Sequence, residues 1–297
     1  MEADDAKVLA SACAMRRTVR TFDGTPLSPE ARELLETLAT NDANPYDIPV
    51  ELRLIDAEKY GATSRVIRGA SWYVVGSLTR CAHAEEAFGY VVERLVLAAA
   101  AHGIGTAWLA GTIDRPAFEH VAGVDEDENR IMPAVIAVGT PAGRASALER
   151  VMRSKLHADE RVDWGTLFFQ GDLANPIASP DACDPAISAA LNCVRLAPSA
   201  QNLQPWRLVC SDGRIALFED RTLPLRPIGD VQLVDMGIAM LHLEAGLAQQ
   251  GVRGTWSFDG PAASAAAPPA IPAPVAIIPP ILLSELLFEE SPNDVSP

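Results

Sequence analysis

The sequence predicts an α+β protein built from two related halves that pair within one chain. The first observation is an internal repeat, in which residues 89–108 align without a gap on residues 237–256, 148 positions later. In both copies apolar residues recur at helical spacing, a glycine follows where the helix would end, and a short extended run comes next. The other observations are helix start signals and apolar runs of strand length in each half. The repeat therefore predicts a long buried helix leading into a strand, twice.

A second, weaker alignment extends this repeat towards the start of each half. Residues 35–44 fall on residues 193–202 at an offset of 158. Because repeats tolerate changes in loop length, the ten-residue difference between the offsets is compatible with one duplication. We therefore predict one half over residues 10–150 and another over 165–280, joined by a charged segment, with an acidic and loose tail at 281–297.

The elements within each half follow from local signals. Ser28 followed by Pro29 is a helix start, with serine as N-cap and proline in the first turn. Asp184 followed by Pro185 marks the matching helix of the second half. Apolar runs bounded by turn residues predict the strands, which are Leu52–Ile55, Trp72–Gly76, Ala134–Val138, Arg207–Cys210 and Ile215–Phe218.

Composition excludes several classes of protein. The chain has 297 residues, of which 24 are lysine or arginine and 39 are aspartate or glutamate, so its formal charge is −15. This charge argues against binding nucleic acid or an anionic membrane surface. The segment from Pro261 to Ser284 is uncharged, but its seven prolines forbid a continuous membrane-spanning helix. Five scattered cysteines and an acidic start without an apolar run favour a reducing, cytoplasmic compartment.

The one dense basic cluster lies near the start of the chain, in Arg16-Arg17-Thr18-Val19-Arg20. Three guanidinium groups and a hydroxyl are costly to gather unless an anion lies among them, and the planar fork of arginine suits phosphate oxygens. A bound phosphate is one interpretation. The other, weighted equally, is a solvated helix end whose arginines pair with nearby carboxylates.

A second polar segment, Ala197-Pro-Ser-Ala-Gln-Asn-Leu-Gln-Pro-Trp206, lies between a predicted helix and a predicted strand. Its two prolines stiffen the loop, while Ser199, Asn202 and Gln204 supply donors and acceptors that can bind a polar ring edge. Taken alone, the segment is better explained as an ordinary capped turn.

Together these segments carry a resemblance. The runs RRTVRTFD, APSAQNLQPW and GIGTAWLAG in one chain resemble the nitroreductase family of FMN-dependent oxidoreductases, and the repeat is similar to its single-chain branch with a duplicated domain. The resemblance extends from about Met15 to Trp256. It implies a nitroreductase-like α+β sandwich with flavin at the interface of the halves.

The resemblance also implies which residues bind the cofactor. Those matching the phosphate-binding positions are Arg16, Arg17, Thr18 and Arg20. Leu109, Ala110 and Gly111 match the strand end whose backbone meets the flavin N5 edge, and the positions that cover the ring are Pro198, Ser199, Ala200 and Asn202. Arg161 is the best match to a late basic residue near the phosphate, with Arg153 and Lys155 as rivals.

Of the two composite sites that paired halves could form, only one has both of its contributing segments in this sequence. The positions 158 residues after Arg16 and Arg20 hold Ala174 and Ala178, and the first half has Thr40–Ile48 in place of the Pro-Ser-Ala-Gln-Asn loop. A symmetric dimer would hold two equal sites. We therefore predict a monomeric pseudo-dimer, meaning two related halves paired within one chain, that binds one FMN.

The function implied is an NADH- or NADPH-dependent oxidoreductase that passes hydride through flavin N5 to an electron-poor small molecule in a ping-pong reaction. No catalytic side chain and no metal site stands out, since the five histidines lack metal-ligand spacing. Two alternatives stay open: a flavin-binding carrier or sensor without its own redox partner, and a degenerate scaffold without a cofactor.

Overall fold

The computed structural model describes residues 3–226, 229–258 and 281–288. The α-helices of these residues are α1 (Ala3–Met15), α2 (Pro29–Ala39), α3 (Ala57–Tyr60), α4 (Ala84–Ala101), α5 (Arg115–Ala122), α6 (Ala147–Lys155), α7 (Trp164–Leu167), α8 (Pro185–Leu196) and α9 (Val231–Gln249). The strands are β1 (Glu51–Asp56), β2 (Trp72–Thr79), β3 (Gly105–Leu109), β4 (Arg130–Ile131), β5 (Val135–Gly139), β6 (Phe168–Gln170), β7 (Trp206–Ser211), β8 (Arg214–Glu219), β9 (Gly254–Ser257) and β10 (Ile281–Phe288). All five predicted strands are present, within one to three residues at their ends.

The two sheets have the same arrangement of strands. The first sheet has the order β1-β2-β5-β3, with β4 paired to β2, and all its pairs are antiparallel. In the second sheet the order is β6-β7-β8-β10-β9, and β7, β8, β10 and β9 are likewise antiparallel neighbours. Strand β6 adds a parallel edge to β7. In each sheet the last strand along the path is thus the one that follows the long helix.

The predicted helix signals are confirmed in both halves. The Ser28 hydroxyl accepts from the backbone N–H of Ala31 at the start of α2, and the Asp184 carboxylate accepts from Ala186 and Ile187 at the start of α8. These side chains satisfy N–H groups that have no partner within the helix. The long helices α4 and α9 end before Gly103 and Gly251, and both glycines have positive φ. Each helix then leads into a strand.

Helices α4 and α9 cross where a glycine of one helix meets the backbone of the other. A Cβ added at Gly89 would overlap the carbonyl oxygen of Val234, and a Cβ added at Gly237 would overlap that of Glu86. The contacts are reciprocal, since Gly237 and Val234 lie 148 positions after Gly89 and Glu86. Only glycine permits so close an approach of two helix backbones.

The largest core joins the two halves. It contains buried residues of α1, α4, α8 and α9, together with side chains from both sheets. In the described residues, α9 alone is long and apolar enough to cross a membrane, and 78% of its most apolar window is buried inside the protein. This burial is typical of a central core helix, which is apolar all round because it is covered all round.

The prediction of a loose tail from residue 281 is wrong for the residues that follow directly. Ile281–Phe288 forms β10, which pairs with β8 on one side and β9 on the other. This run has the apolar content of a strand, and its backbone groups gain partners on both edges. The proline-containing segment before β10, residues 261–280, and the tail beyond residue 288 lie outside the described residues.

Candidate active site at the junction of the two halves

The basic segment that follows α1 runs beside β3. Thr18 forms a parallel bridge with Thr106, and the N–H of Val19 donates to the carbonyl oxygen of Thr106 (2.9 Å). Gly105 permits this approach, because a Cβ there would lie 2.9 Å from the Pro141 ring and 3.1 Å from a methyl group of Val19. The segment is therefore held as an extra strand-like edge, with its arginines at the amino end of β3.

Several guanidinium nitrogens of this region are buried and donate no hydrogen bond within the described part of the chain. They are Nε of Arg16, Nε and Nη1 of Arg20 and Nε of Arg161. An unpaired buried donor costs about 1–3 kcal/mol, and more when the group is charged. The arrangement therefore calls for an acceptor with several oxygens, and a phosphate has that chemistry.

The charges in this region repel one another. Burial lowers the pKa of Arg161, and the charges of Arg16 and Arg195 lower it further. Burial also lowers the pKa of Arg20, against the raising effect of Glu149 and together with the charge of Arg153. A bound anion would relieve both the desolvation and the repulsion.

A fully buried carboxylate, Glu93 of α4, links Arg16 to the second half. Its Oε1 lies 3.9 Å from Arg16 Nε and 3.0 Å from His242 Nε2, and its Oε2 accepts from the Trp108 indole (2.8 Å). His242 Nδ1 lies 2.9 Å from the carbonyl oxygen of Cys193, which can only accept, so Nδ1 carries a proton. Burial lowers the pKa of Arg16, and the charge of Glu93 opposes that shift.

The segment between the halves closes over the arginines. Ser146 is the N-cap of helix α6, and its N–H donates to the Thr21 hydroxyl (3.0 Å). Arg153 of this helix pairs with Asp159, while Lys155 is exposed at the helix end. A cavity of about 420 Å³ lies against this segment, lined by residues 150, 153, 154 and 157–160.

The polar loop of the second half reaches this same segment. The amide of Asn202 donates to the carbonyl oxygens of His157 (2.8 Å) and Glu160 (3.1 Å), and its Oδ1 accepts from Arg161 Nη1 (3.4 Å). Gln204, with 2% of its surface exposed, accepts from the N–H of Val162 (3.1 Å). Hydrogen bonds thus hold the loop and Arg161 together, and the charge of Arg16 lowers the pKa of Arg161.

This loop has a strained backbone. Gln201, Asn202 and Gln204 have positive φ values of 54°, 60° and 51°, which is uncommon for residues other than glycine. Two bonds hold the conformation: both carboxylate oxygens of Asp235 accept from the N–H of Ala200 (3.0 Å each), and the Ser199 hydroxyl accepts from the N–H of Gln204 (2.9 Å). Burial raises the pKa of Asp235 well above its usual value. Strain of this kind is typical of functional loops.

The third predicted group, Leu109–Gly111, lies at the carboxyl end of β3. Leu109 is buried, the carbonyl oxygen of Ala110 accepts from Arg115 Nη2 (3.3 Å), and a Cβ at Gly111 would meet nothing within 4 Å. The backbone is therefore open on that side. Among the described residues, no hydrogen bond joins Leu109–Gly111 directly to the arginines or to residues 198–202.

The structure thus brings Arg16 and Arg161 together with Asn202, and it leaves Arg17 exposed. Arg20 is half-buried, and the charge of Arg153 acts on both Arg20 and Arg161. The sequence analysis assigned no role to Glu93 or Asp235, and it named Arg153 only as a rival of Arg161. Gln204 was noticed as a polar residue but not as the side chain that joins the loop to Val162. Glu93 and Asp235 are charged residues on largely apolar helices, and this was the available signal.

Comparison with known proteins identifies the family. Residues 9–247 match the family model described as "Putative TM nitroreductase". The match covers most of the chain, so the chain belongs to this family. A search of curated proteins finds no match.

Three solved structures are similar to this chain. A putative nitroreductase from Thermotoga maritima is 16% identical, with a TM-score of 0.60 over 94% of this chain and 93% of that one. At this identity the likeness shows the fold alone. A putative nitroreductase in complex with FMN from Desulfovibrio desulfuricans is 22% identical, with a TM-score of 0.38 over 47% of this chain and 89% of that one. A nitroreductase with bound FMN from Bacteroides fragilis is 20% identical, with a TM-score of 0.36 over 46% and 90%.

Proposed function

We propose that this protein is an FMN-dependent oxidoreductase that uses NADH or NADPH to reduce a small, electron-poor acceptor. The observation that carries the proposal is the set of buried guanidinium nitrogens of Arg16, Arg20 and Arg161 that donate no hydrogen bond within the described residues. Membership of the nitroreductase family and the FMN-bound structures of similar fold support the choice of flavin among phosphorylated cofactors.

In this proposal Arg16 and Arg20 hold the phosphate, and Arg161 contacts it from the linker, meaning the charged segment 144–161 that joins the two halves. Thr18 lies on the same strand-like edge beside β3. Strand β3 advances about 10 Å between Thr106 and Leu109, at ~3.3 Å per residue. Such an advance suits a cofactor whose phosphate lies at the amino end of β3 and whose ring reaches Ala110 and Gly111.

FMN, when bound, supplies the hydride transfer, and the protein supplies position and electrostatics. Pro198, Ser199 and Ala200 would cover the ring from the second half, on a loop that Asp235 holds at the N–H of Ala200. Asn202 would act on the linker, where it fixes Arg161. The donor and the acceptor would use one open face in turn, which gives ping-pong kinetics.

We further propose a monomeric pseudo-dimer with one FMN per chain, working in the cytoplasm. The shared strand order of the two sheets and the reciprocal glycine contacts of α4 and α9 support related halves. Fusion makes their pairing intramolecular, at an effective concentration in the millimolar range. All five cysteines are free thiols, as suits a reducing compartment.

The double variant Arg16→Glu, Arg20→Glu tests the phosphate role. We expect at least a ~100-fold loss of FMN affinity, because two charge-assisted contacts of about 1.5–3 kcal/mol each become repulsive. FMN content is read from the absorbance of the purified protein. Arg17→Glu is the matched control, since it makes the same charge change at an exposed position of the same segment. Equal FMN content in the double variant and the control would refute the proposal.

The colour of the purified protein, and its loss on reduction, distinguishes an enzyme from a flavin carrier. The purified chain should be yellow, and NADH or NADPH added without oxygen should bleach it. A yellow protein that neither nucleotide bleaches would instead be a flavin carrier or sensor. A colourless protein that takes up no added FMN would be a scaffold.

A further inference from the structure

A second cavity, of about 640 Å³, lies on the other side of the junction between the halves. Its walls come from both halves: the loop at 41–45 and helices α1, α2 and α4 from the first, and α9 and β9 from the second. Its size falls within the usual range of small-molecule sites, about 300–1,000 Å³.

This cavity is built from the counterparts of the proposed flavin site. The loop at 41–45 lies 158 positions before 199–203, and residues 254–256 of β9 lie 148 positions after 106–108 of β3. The same two parts therefore meet again, with their halves exchanged. The positions related to Arg16 and Arg20 are alanines, 174 and 178, and neither lines the cavity.

The second cavity carries more carboxylates than guanidinium groups. Its acidic and basic lining residues are Asp5, Arg94, His102 and Glu244. Arg94 donates to Asn41 Oδ1 (2.8 Å) and to the carbonyl oxygen of Ala43 and lies 5.1 Å above the Tyr90 ring, so its guanidinium is fixed against the loop at 41–45. The lining thus holds two carboxylates and one guanidinium, with His102 Nδ1 bound to the carbonyl oxygen of Ala98 (2.9 Å).

Two hydrogen bonds fix the Glu244 carboxylate in the wall of this cavity. Its Oε2 accepts from the Tyr90 hydroxyl (2.7 Å) and from the Trp256 indole (3.2 Å). Within the described part of the chain, Oε1 receives no hydrogen bond. Beside it the wall is apolar and aromatic, formed by Trp256, Leu9 and Leu38. A carboxylate next to an indole ring suits a cation, which gains both a charge-assisted bond and an attraction to the ring.

We propose that this cavity binds a small organic cation, namely an ammonium group attached to an aromatic or apolar body. The ammonium group bonds to Glu244 Oε1, and the body packs against Trp256, Leu9 and Leu38. The proposal does not depend on the flavin function, because none of these residues belongs to the arginine site.

Three indole compounds of similar shape and different charge test the proposal on the full chain by isothermal titration calorimetry. They are tryptamine (cation), tryptophol (neutral) and indole-3-propionate (anion). We expect tryptamine to bind at least about 10-fold more tightly than tryptophol, since one charge-assisted hydrogen bond is worth about that factor or more. The anion should bind most weakly. Equal affinities, tighter binding of the anion, or no binding of tryptamine would each overturn the proposal.

Two variants locate the binding. Glu244→Gln should lower tryptamine affinity about 10-fold and leave tryptophol unchanged, while its amide still accepts from Tyr90 and Trp256. Ala43→Lys places a cation at the cavity rim through an exposed side chain, and should weaken tryptamine by a similar factor. Ala174→Lys, at an exposed alanine outside the cavity, is the matched control and should change nothing. Tryptamine binding that neither cavity variant weakens would refute the site.

FMN content is measured in the same preparations. A protein that binds tryptamine but no FMN would contradict the proposed oxidoreductase and leave the cation site standing. A yellow protein that does not bind tryptamine would contradict the cation site and leave the proposed oxidoreductase standing.

Discussion

The loops at 41–45 and 199–203 occupy related positions, but opposite charges anchor them. Arg94 of α4 holds the first loop by donating to Asn41 and to the carbonyl oxygen of Ala43. Asp235 of α9 holds the second by accepting from the N–H of Ala200. The first loop borders a cavity with carboxylates, and the second contacts a cluster of arginines. The two loops therefore differ both in backbone conformation and in the charges around them.

The two loops' surroundings differ most at two glutamates, each of which accepts a hydrogen bond from a tryptophan indole. Trp108 donates to Glu93, which is fully buried beside Arg16 and His242, whereas Trp256 donates to the partly exposed Glu244. We expect Glu93→Gln to lower the free energy of unfolding by about 3–5 kcal/mol, because it leaves the buried guanidinium of Arg16 without a counter-charge. Glu244→Gln should cost at most about 1 kcal/mol. Urea unfolding of both variants measures the difference, and equal losses would contradict it.

The helix crossing tests whether the halves are equivalent. Gly89→Ala and Gly237→Ala should each cost about 3 kcal/mol, the upper end of the range for overpacking, because the added methyl group meets backbone and not a movable side chain. Gly103→Ala is the control. It has positive φ but open space around it, so about 1–2 kcal/mol is expected. Thermal unfolding measures all three, and a large effect at only one of the two helix glycines would break the equivalence.

The anchor of the second loop predicts a pH dependence. Burial raises the pKa of Asp235, so the folded protein binds a proton there more tightly than the unfolded chain does. The free energy of unfolding then falls as pH rises above the unfolded value near 3.8, by up to about 1.4 kcal/mol per pH unit until the folded pKa is passed.

Asp235→Asn should flatten that slope and keep the bond from Ala200. Denaturant unfolding at a series of pH values provides the measurement. An unchanged slope in Asp235→Asn would show that other groups cause it. The related position on α4 holds Ala87, so no matching slope is expected from the first loop.

Two asparagines at related loop positions should have different effects on the cofactor. Asn202 joins the linker and Arg161, whereas Asn44 bonds only within its own loop, to Asp42, Tyr46 and Ile48. We expect Asn202→Ala to weaken FMN binding about 10-fold by freeing Arg161. Asn44→Ala should leave FMN affinity unchanged and cost about 1 kcal/mol of stability. Fluorescence titration of FMN measures the affinities, and equal losses would argue against a single flavin site.

Much of the fold could be predicted because its signals are local. Ser28 and Asp184 cap their helices as expected, and the repeat at 89–108 and 237–256 marks the two central helices. The sequence analysis did not predict strand β10, because the residues directly before it are proline-rich. Its place in the sheet depends on pairing with residues more than 60 positions earlier in β8.

The arginine site was predicted only in part, for a physical reason. Spacing identified Arg16 and Arg20 as a cluster, but their burial depends on packing against the linker and the second half. Glu93 and Asp235 stand out in the sequence only as charged residues on largely apolar helices. Their roles come from partners about 35 to 150 residues away, namely Ala200 and His242. A pattern of neighbours cannot indicate such contacts.

The position of β10 between β8 and β9 also affects the order in which the chain can fold during synthesis. The first sheet is complete once residue 139 has been made, because β5 already separates β2 from β3. In the second sheet β9 has no place beside β8 until residues 281–288 arrive. During synthesis the first half can therefore form its complete sheet, whereas the sheet of the second half lacks β10 until residue 288 has been made.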